Sequence, residues 1–254
     1  MGRTQQKTGQ TMKNTVWSFG DSYITTLEGK SAVTGETLRQ YANWAEIVAN
    51  KLDMELKDFG RAGSSLEFSS YKYTENHSYI QPGDIVLVVL TSFSSRKWLI
   101  FEEESMMTPV QIERSEKLSP KDKEHYQRVL SEHRIEWTES LGTLFLESLG
   151  NLLSKGVKII AIPCFHHSEH FLYEYRQRDA RLPCIKGNLL ENVSYHETDG
   201  TLEQQRNLQR NEFRRNHMAK ENHIVLANKV IDLVKSDASE LDLTHGFHEN
   251  IIKL

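Results

Sequence analysis

Apolar residues along this chain gather in short clusters, and the spacing within each cluster predicts a different element. Thr15–Phe19 reads as a short buried strand, stopped by Gly20 and Asp21. Over residues 40–52 the apolar positions Tyr41, Trp44, Ile47, Val48 and Leu52 recur at the three-to-four spacing of one helix face. Residues 54–59 alternate apolar and charged side chains, as a half-buried strand does. After the turn Pro82-Gly83-Asp84, Ile85–Leu90 is an unbroken β-branched and leucine run, which suits a parallel strand covered on both faces. Residues 123–155 predict one long helix with Ile135, Trp137, Leu141, Leu144, Phe145, Leu149 and Leu152 along one side, closed by Gly156. A fourth apolar strand follows over 157–163. The last clear helix covers 218–234, with Leu226, Ala227, Val230, Ile231 and Val234 facing inward.

Strand, helix, strand, strand, helix, strand, helix is the order of a parallel sheet with helices on both faces. In such sheets ligands bind outside the carboxyl ends of the strands. That rule directs attention to residues 18–22, 60–65, 91–96 and 164–170. Residues 1–14 read as a flexible N-terminal tail and 15–254 as a single domain, with no internal repeat or low-complexity stretch.

Composition narrows the partners. Hydrophobic residues make up 38% and charged residues 26%, the balance of a globular protein rather than a disordered one. A net charge of −4 gives no strong attraction to nucleic acid or an anionic membrane. The expected partner is therefore a small molecule or the end of a polymer, and the oligomeric state is left open. The polar N-terminal stretch has no apolar core like that of a secretory signal, and Ile85–Leu90 is too short to span a bilayer. A soluble, cytoplasmic location is expected. Cys164 and Cys184 each follow a proline and read as free thiols or at most one bridge.

The chemistry centres on Ser22, in Phe19-Gly20-Asp21-Ser22 directly after the first strand. A serine hydroxyl becomes a nucleophile only when a base removes its proton, so a histidine must come within hydrogen-bond reach. A glycine just before it permits a sharp turn, and a following helix would aim N–H groups at a developing oxyanion. Three short blocks carry a resemblance to the SGNH (GDSL-like) hydrolases, a family of esterases and acylhydrolases. They are Trp17-Ser-Phe-Gly-Asp-Ser22, Asp58-Phe-Gly-Arg-Ala-Gly63-Ser-Ser, and Asn216-His217-Met-Ala-Lys-Glu-Asn-His223. The resemblance implies a flavodoxin-like three-layer α/β/α sandwich around a central parallel sheet. It also implies Ser22 as nucleophile, Gly63 as an oxyanion-hole donor and His217 as the base. His223, on the helix, is read as structural.

Two positions depart from the family pattern. Where the family ends a strand with Gly-x-Asn-Asp, this chain has Leu90-Thr91-Ser92-Phe93, so Ser92 takes the place of the oxyanion-binding amide. Loss of one such donor costs roughly 10²–10³ in rate. The neighbouring Arg96 is read either as binding an anionic part of the substrate or as pairing with the acidic run 102–104. The family places an Asp three residues before its histidine, and here Arg214 stands there. Either Glu212 or a backbone carbonyl is then left to orient His217.

Asp21, Thr91, Ser95, Arg96, His166 and His167 are the candidates to line the substrate. His166 and His170 would fall on one helix face and offer an alternative, metal-dependent reading if that segment is helical. No second cluster with ligand spacing accompanies them, so neither metal nor organic cofactor is expected. The implied activity is hydrolysis of a small-molecule or glycan ester, with an acetylated sugar favoured by the polar connections over 93–121 and 165–215. The alternative is a catalytically degenerate member that binds a glycan or a partner.

Overall fold

A computed structural model describes residues 13–25, 42–61, 63–91, 116, 118–132, 135–193, 196–197, 218–236, 238–248 and 251–252. The fold is built on β1 (Thr15–Phe19), β2 (Glu55–Asp58), β3 (Ile85–Leu90) and β4 (Lys158–Pro163). These pair in the order β2-β1-β3-β4, and every pairing is parallel. The chain therefore steps one way from β1 to β2 and then crosses back to β3, the doubly wound arrangement of flavodoxin-like folds.

Helices α1 (Trp44–Lys51), α2 (Leu66–Asn76), α3 (Pro120–Glu132), α4 (Ile135–Leu153), α5 (His166–Arg178), α6 (Leu189–Val193) and α7 (Lys220–Lys235) follow in chain order. Alternation along the strands sends successive side chains to opposite faces. Val16, Ile85, Leu87, Val89, Ile160 and Ile162 pack with Trp44 and Val48 of α1 and Leu226, Ala227 and Val230 of α7. Trp17, Phe19, Val86, Val88, Leu90 and Ile159 pack with Leu66 and Tyr73 of α2, Phe145 and Leu149 of α4, and Phe171 and Leu172 of α5. The result is a three-layer α/β/α sandwich. Cys164 is buried and Cys184 half-buried, and no disulfide joins them.

Element boundaries follow local hydrogen bonding more closely than hydrophobic spacing. The helix expected from residue 40 begins at Trp44, because Asn43 caps it: its side chain accepts from the Glu46 N–H while the Glu46 carboxylate accepts from the Asn43 N–H. The helix expected over 123–155 is described as α3 and α4, with residues 133–134 outside the described set. Its predicted stop at Gly156 holds. Gly156 takes φ +82°, Val157 N–H reaches Leu152 O (3.3 Å) and Gly156 N–H reaches Leu153 O (3.0 Å), the two bonds of a Schellman turn.

Helices α2 and α5 were not anticipated, since their apolar stripes are thin and interrupted by Ser, Tyr, Glu and Arg. The short strands β5 (Cys184–Lys186) and β7 (Glu240–Asp242) pair with each other, as do β6 (His196–Glu197) and β8 (Ile251–Ile252). At the chain start, Lys13 and Asn14 already belong to the fold. Asn14 O accepts from Glu55 N–H (3.1 Å) and Lys13 meets Asp53 (2.6 Å). Among the described residues no helix is long and apolar enough to cross a membrane.

Asp84 ties the amino ends of the strands together. Its carboxylate accepts from the Thr15 N–H (2.8 Å), the Trp17 indole N–H (2.9 Å) and the Gln81 N–H (2.9 Å), while its carbonyl accepts from Lys158 N–H (3.0 Å). Replacing Asp84 with Ala leaves two buried donors, the Thr15 N–H and the Trp17 indole, without their acceptor, each carrying a desolvation penalty, and frees the more exposed Gln81 N–H. The Asp84→Ala protein is expected to lose roughly 2–4 kcal/mol in urea denaturation, with an unchanged denaturant slope.

Candidate active site at the carboxyl edge of the sheet

Ser22 lies in the turn that leaves β1. Gly20 opens this turn at φ +149°, and a Cβ there would stand 2.8 Å from the Val89 Cβ and 2.9 Å from the Ile24 Cγ2. The sharp exit from the strand thus needs both the conformational freedom and the absent side chain of glycine. Asp21 then wraps the chain. Its carboxylate accepts from the Tyr23 N–H (3.1 Å), and its carbonyl accepts from the N–H groups of Ile24 and Thr25 (3.1 Å each). Asp21, Tyr23 and Ile24 are buried, whereas Ser22 between them is half-exposed. Asp21, a candidate to line the substrate, is fully buried and serves the turn.

The loop after β2 is stitched onto this turn. Gly20 O accepts from both the Arg61 N–H (2.9 Å) and the Ser64 hydroxyl (2.7 Å). Asp58, at the end of β2, accepts from the Ser18 hydroxyl (2.7 Å) and the Gly60 N–H (2.8 Å), and Thr25 donates from its hydroxyl to Gly60 O (3.1 Å). The first two sequence blocks, distant in the chain, are therefore brought together at one edge. Within the loop Gly63 is exposed at φ +78°, with open space where a Cβ would be. Its glycine is required by backbone conformation rather than by crowding.

At the end of β3, Thr91 is buried, and its hydroxyl finds no hydrogen-bond partner among the described residues. Ser92, Ser95, Arg96, Glu212 and His217 lie outside the described residues. His166 and His167 begin α5, immediately past the end of β4, and both are exposed. The segment is helical, as the metal reading required, but its histidines face separate carboxylates. His166 approaches Glu169 (3.7 Å), His167 approaches Glu139 of α4 (3.5 Å) and His170 approaches Glu174 (3.3 Å). Among the described residues no group of three or more His, Cys, Asp or Glu side chains could hold a metal ion.

Sequence reasoning missed Asp58 and Ser64, whose roles depend on a cross-chain partner. The available signals were their place in the second sequence block and, for Asp58, its position at the end of β2. His223 on α7 is nearly buried, and its Nδ1 accepts from the Trp44 N–H (3.1 Å).

Among the described residues the strongest electrostatic perturbations lie away from Ser22. Burial pushes the Tyr175 phenol up to about 12, and a bidentate Arg181 contact holds Asp179 down at about 2. The Thr244 and His245 side chains hold Asp242 below the usual carboxylate range. Two cavities also lie apart from Ser22. One of about 310 Å³ sits between the start of β4 and the segments leading into β5 and β7. Another of about 240 Å³ lies between α4 and α5. The larger one opens at the amino end of β4, away from the edge where doubly wound sheets bind ligands.

Comparison with known proteins adds little to this geometry. No protein-family model and no curated protein matches the chain. Among solved structures it resembles the crystal structure of protein YxiM from Bacillus subtilis at 11% identity with a TM-score of 0.33. The match covers 66% of this chain but only 42% of that one.

The stitched turn sets a clear expectation for Gly20. Gly20→Ala forces a side chain into Val89 and Ile24 at a backbone angle that L residues rarely adopt. Thermal unfolding should show a loss of at least about 2 kcal/mol, with overpacking and strain adding. Gly63→Ala meets no neighbour. It should cost only about 1 kcal/mol, from the left-handed backbone alone.

Proposed function

We propose that the protein is a serine-dependent ester hydrolase with Ser22 as nucleophile and His217 as general base. The observation that carries this reading is the position of Ser22. It is half-exposed between buried neighbours, in a glycine-led turn at the carboxyl end of β1. There the chain's crossovers diverge, which is where doubly wound sheets bind their ligands. The docked loop carrying Gly63 supports it further, since an exposed left-handed glycine beside a nucleophile is suited to offering its N–H to an oxyanion.

In the proposed reaction His217 takes the Ser22 proton as Oγ attacks the acyl carbon, forming a tetrahedral oxyanion. N–H groups of Ser22 and Gly63 and the Ser92 hydroxyl hold that charge. Collapse expels the alcohol, which takes the proton back from His217, and leaves an acyl group on Ser22. Water activated by the same histidine then releases the acid and restores the serine. The reaction calls for no cofactor. Glu212 or a backbone carbonyl orients the imidazole, and Thr91, Ser95, Arg96, His166 and His167 line the substrate. A polar ester such as an O-acetylated sugar suits the charged connections over 93–121 and 165–215 better than a lipid does.

Labelling with a fluorophosphonate probe tests the reading. Wild type should label, and Ser22→Ala and His217→Ala should both lose labelling while remaining folded. A folded wild-type protein that does not label would instead favour the binding-protein reading, which the Arg at 214 already invites.

A further inference from the structure

We infer that His223 is a positioning residue for the Ser22 turn, acting through the first turn of α1. The claim rests on the reading of Ser22 as nucleophile, but its structural basis is a separate chain of hydrogen bonds. Trp44 is the first residue of α1, and the N–H at that position has no acceptor within its own helix. Trp44 is fully buried, so water does not supply one. His223 Nδ1 accepts this N–H at 3.1 Å across a gap of 179 residues in sequence. An accepting Nδ1 requires the neutral ring with its proton on Nε2.

The same helix start grips the residues just after Ser22. The Trp44 indole N–H donates to Tyr23 O (2.7 Å), and the Asn43 side-chain amide donates to Ile24 O (2.8 Å). Tyr23, Ile24, Asn43, Trp44 and His223 are all buried. A displacement of Trp44 is therefore passed to the two carbonyls that follow the proposed nucleophile. On its other side α7 is itself anchored, because Asn222 exchanges two hydrogen bonds with the His248 backbone (2.7 and 3.0 Å). His223 thus presents its acceptor from a fixed helix. It has no place in the acyl-transfer steps and acts only by fixing where Ser22 stands.

Comparing His223→Ala with His223→Asn tests this, because an Asn oxygen falls close to where Nδ1 stood whereas Ala offers no acceptor. Backbone amide hydrogen exchange should accelerate about tenfold in His223→Ala at residues 20–25 as well as 43–46, a size set by losing a bond that holds a local unit closed. His223→Asn should restore protection at both. In a folded His223→Ala protein, fluorophosphonate labelling of Ser22 should slow by about tenfold or more, since small misplacements of a reacting group carry such penalties. His223→Asn should label within about twofold of wild type, an allowance smaller than the worth of one weak hydrogen bond. Unchanged exchange at 20–25 in folded His223→Ala overturns the inference, as does failure of Asn to rescue. If wild type does not label at all, the esterase reading fails and the exchange comparison alone decides the role of His223.

Discussion

The carbonyl of Gly20 is the point on which the carboxyl edge depends. It leaves β1 in a conformation that only glycine adopts easily, against Val89 and Ile24 at distances that exclude any side chain. From there it accepts two hydrogen bonds, from Arg61 and Ser64, that fasten the loop after β2. Without that carbonyl in that direction, the segment carrying Gly63 loses two of the bonds that hold it against the Ser22 turn. A second clamp from Asp58 to Ser18 and Gly60 works in parallel, so the two loops are fixed at both their strand ends and their tips.

The opposite edge is organised by the same physics. Asp84 gathers donors from β1 and from its own turn, and its carbonyl takes the first N–H of β4. A buried carboxylate, Asp84, at one end of the sheet and a half-buried one, Asp58, at the other accept from donors near the strand ends, which keeps the desolvation cost there low. Between them the core is divided by strand alternation into two apolar clusters, one for each helical layer. The layers differ in how they reach the Ser22 turn. The α1 and α7 side holds the Ser22 turn through Asn43, Trp44 and His223. The α2, α4 and α5 side supplies bulk apolar packing.

The sheet was legible in the sequence because β1, β3 and β4 are short, punctuated apolar runs and β2 alternates apolar and charged residues. Thr15–Phe19 and Ile85–Leu90 match the expected bounds, and Gly156 stops its helix as its position suggests. Helices α2 and α5 were not legible, because Ser and Tyr side chains interrupt their apolar stripes, and the Tyr73 hydroxyl is satisfied only by Ser148, 75 residues away (3.0 Å). The same limit applies to the candidate site. Ser22 and Gly63 stand out as motif residues, whereas the clamping roles of Asp58 and Ser64 and the burial of Asp21 appear only once the loops meet in space. His223 was recognisable as structural from its place on a helix, but nothing in the sequence points to Trp44 as its partner.

The central claim, that Ser22 is an acyl-accepting nucleophile, is tested most directly by trapping the intermediate. The protein would be mixed with nitrophenyl acetate, quenched in acid within the first turnover, digested and mapped by mass spectrometry. The account predicts an acetyl group on the peptide containing Ser22, absent from Ser22→Ala, and released again when the quench is delayed. Ester hydrolysis with no acyl group on Ser22, or unchanged turnover by Ser22→Ala, would contradict it.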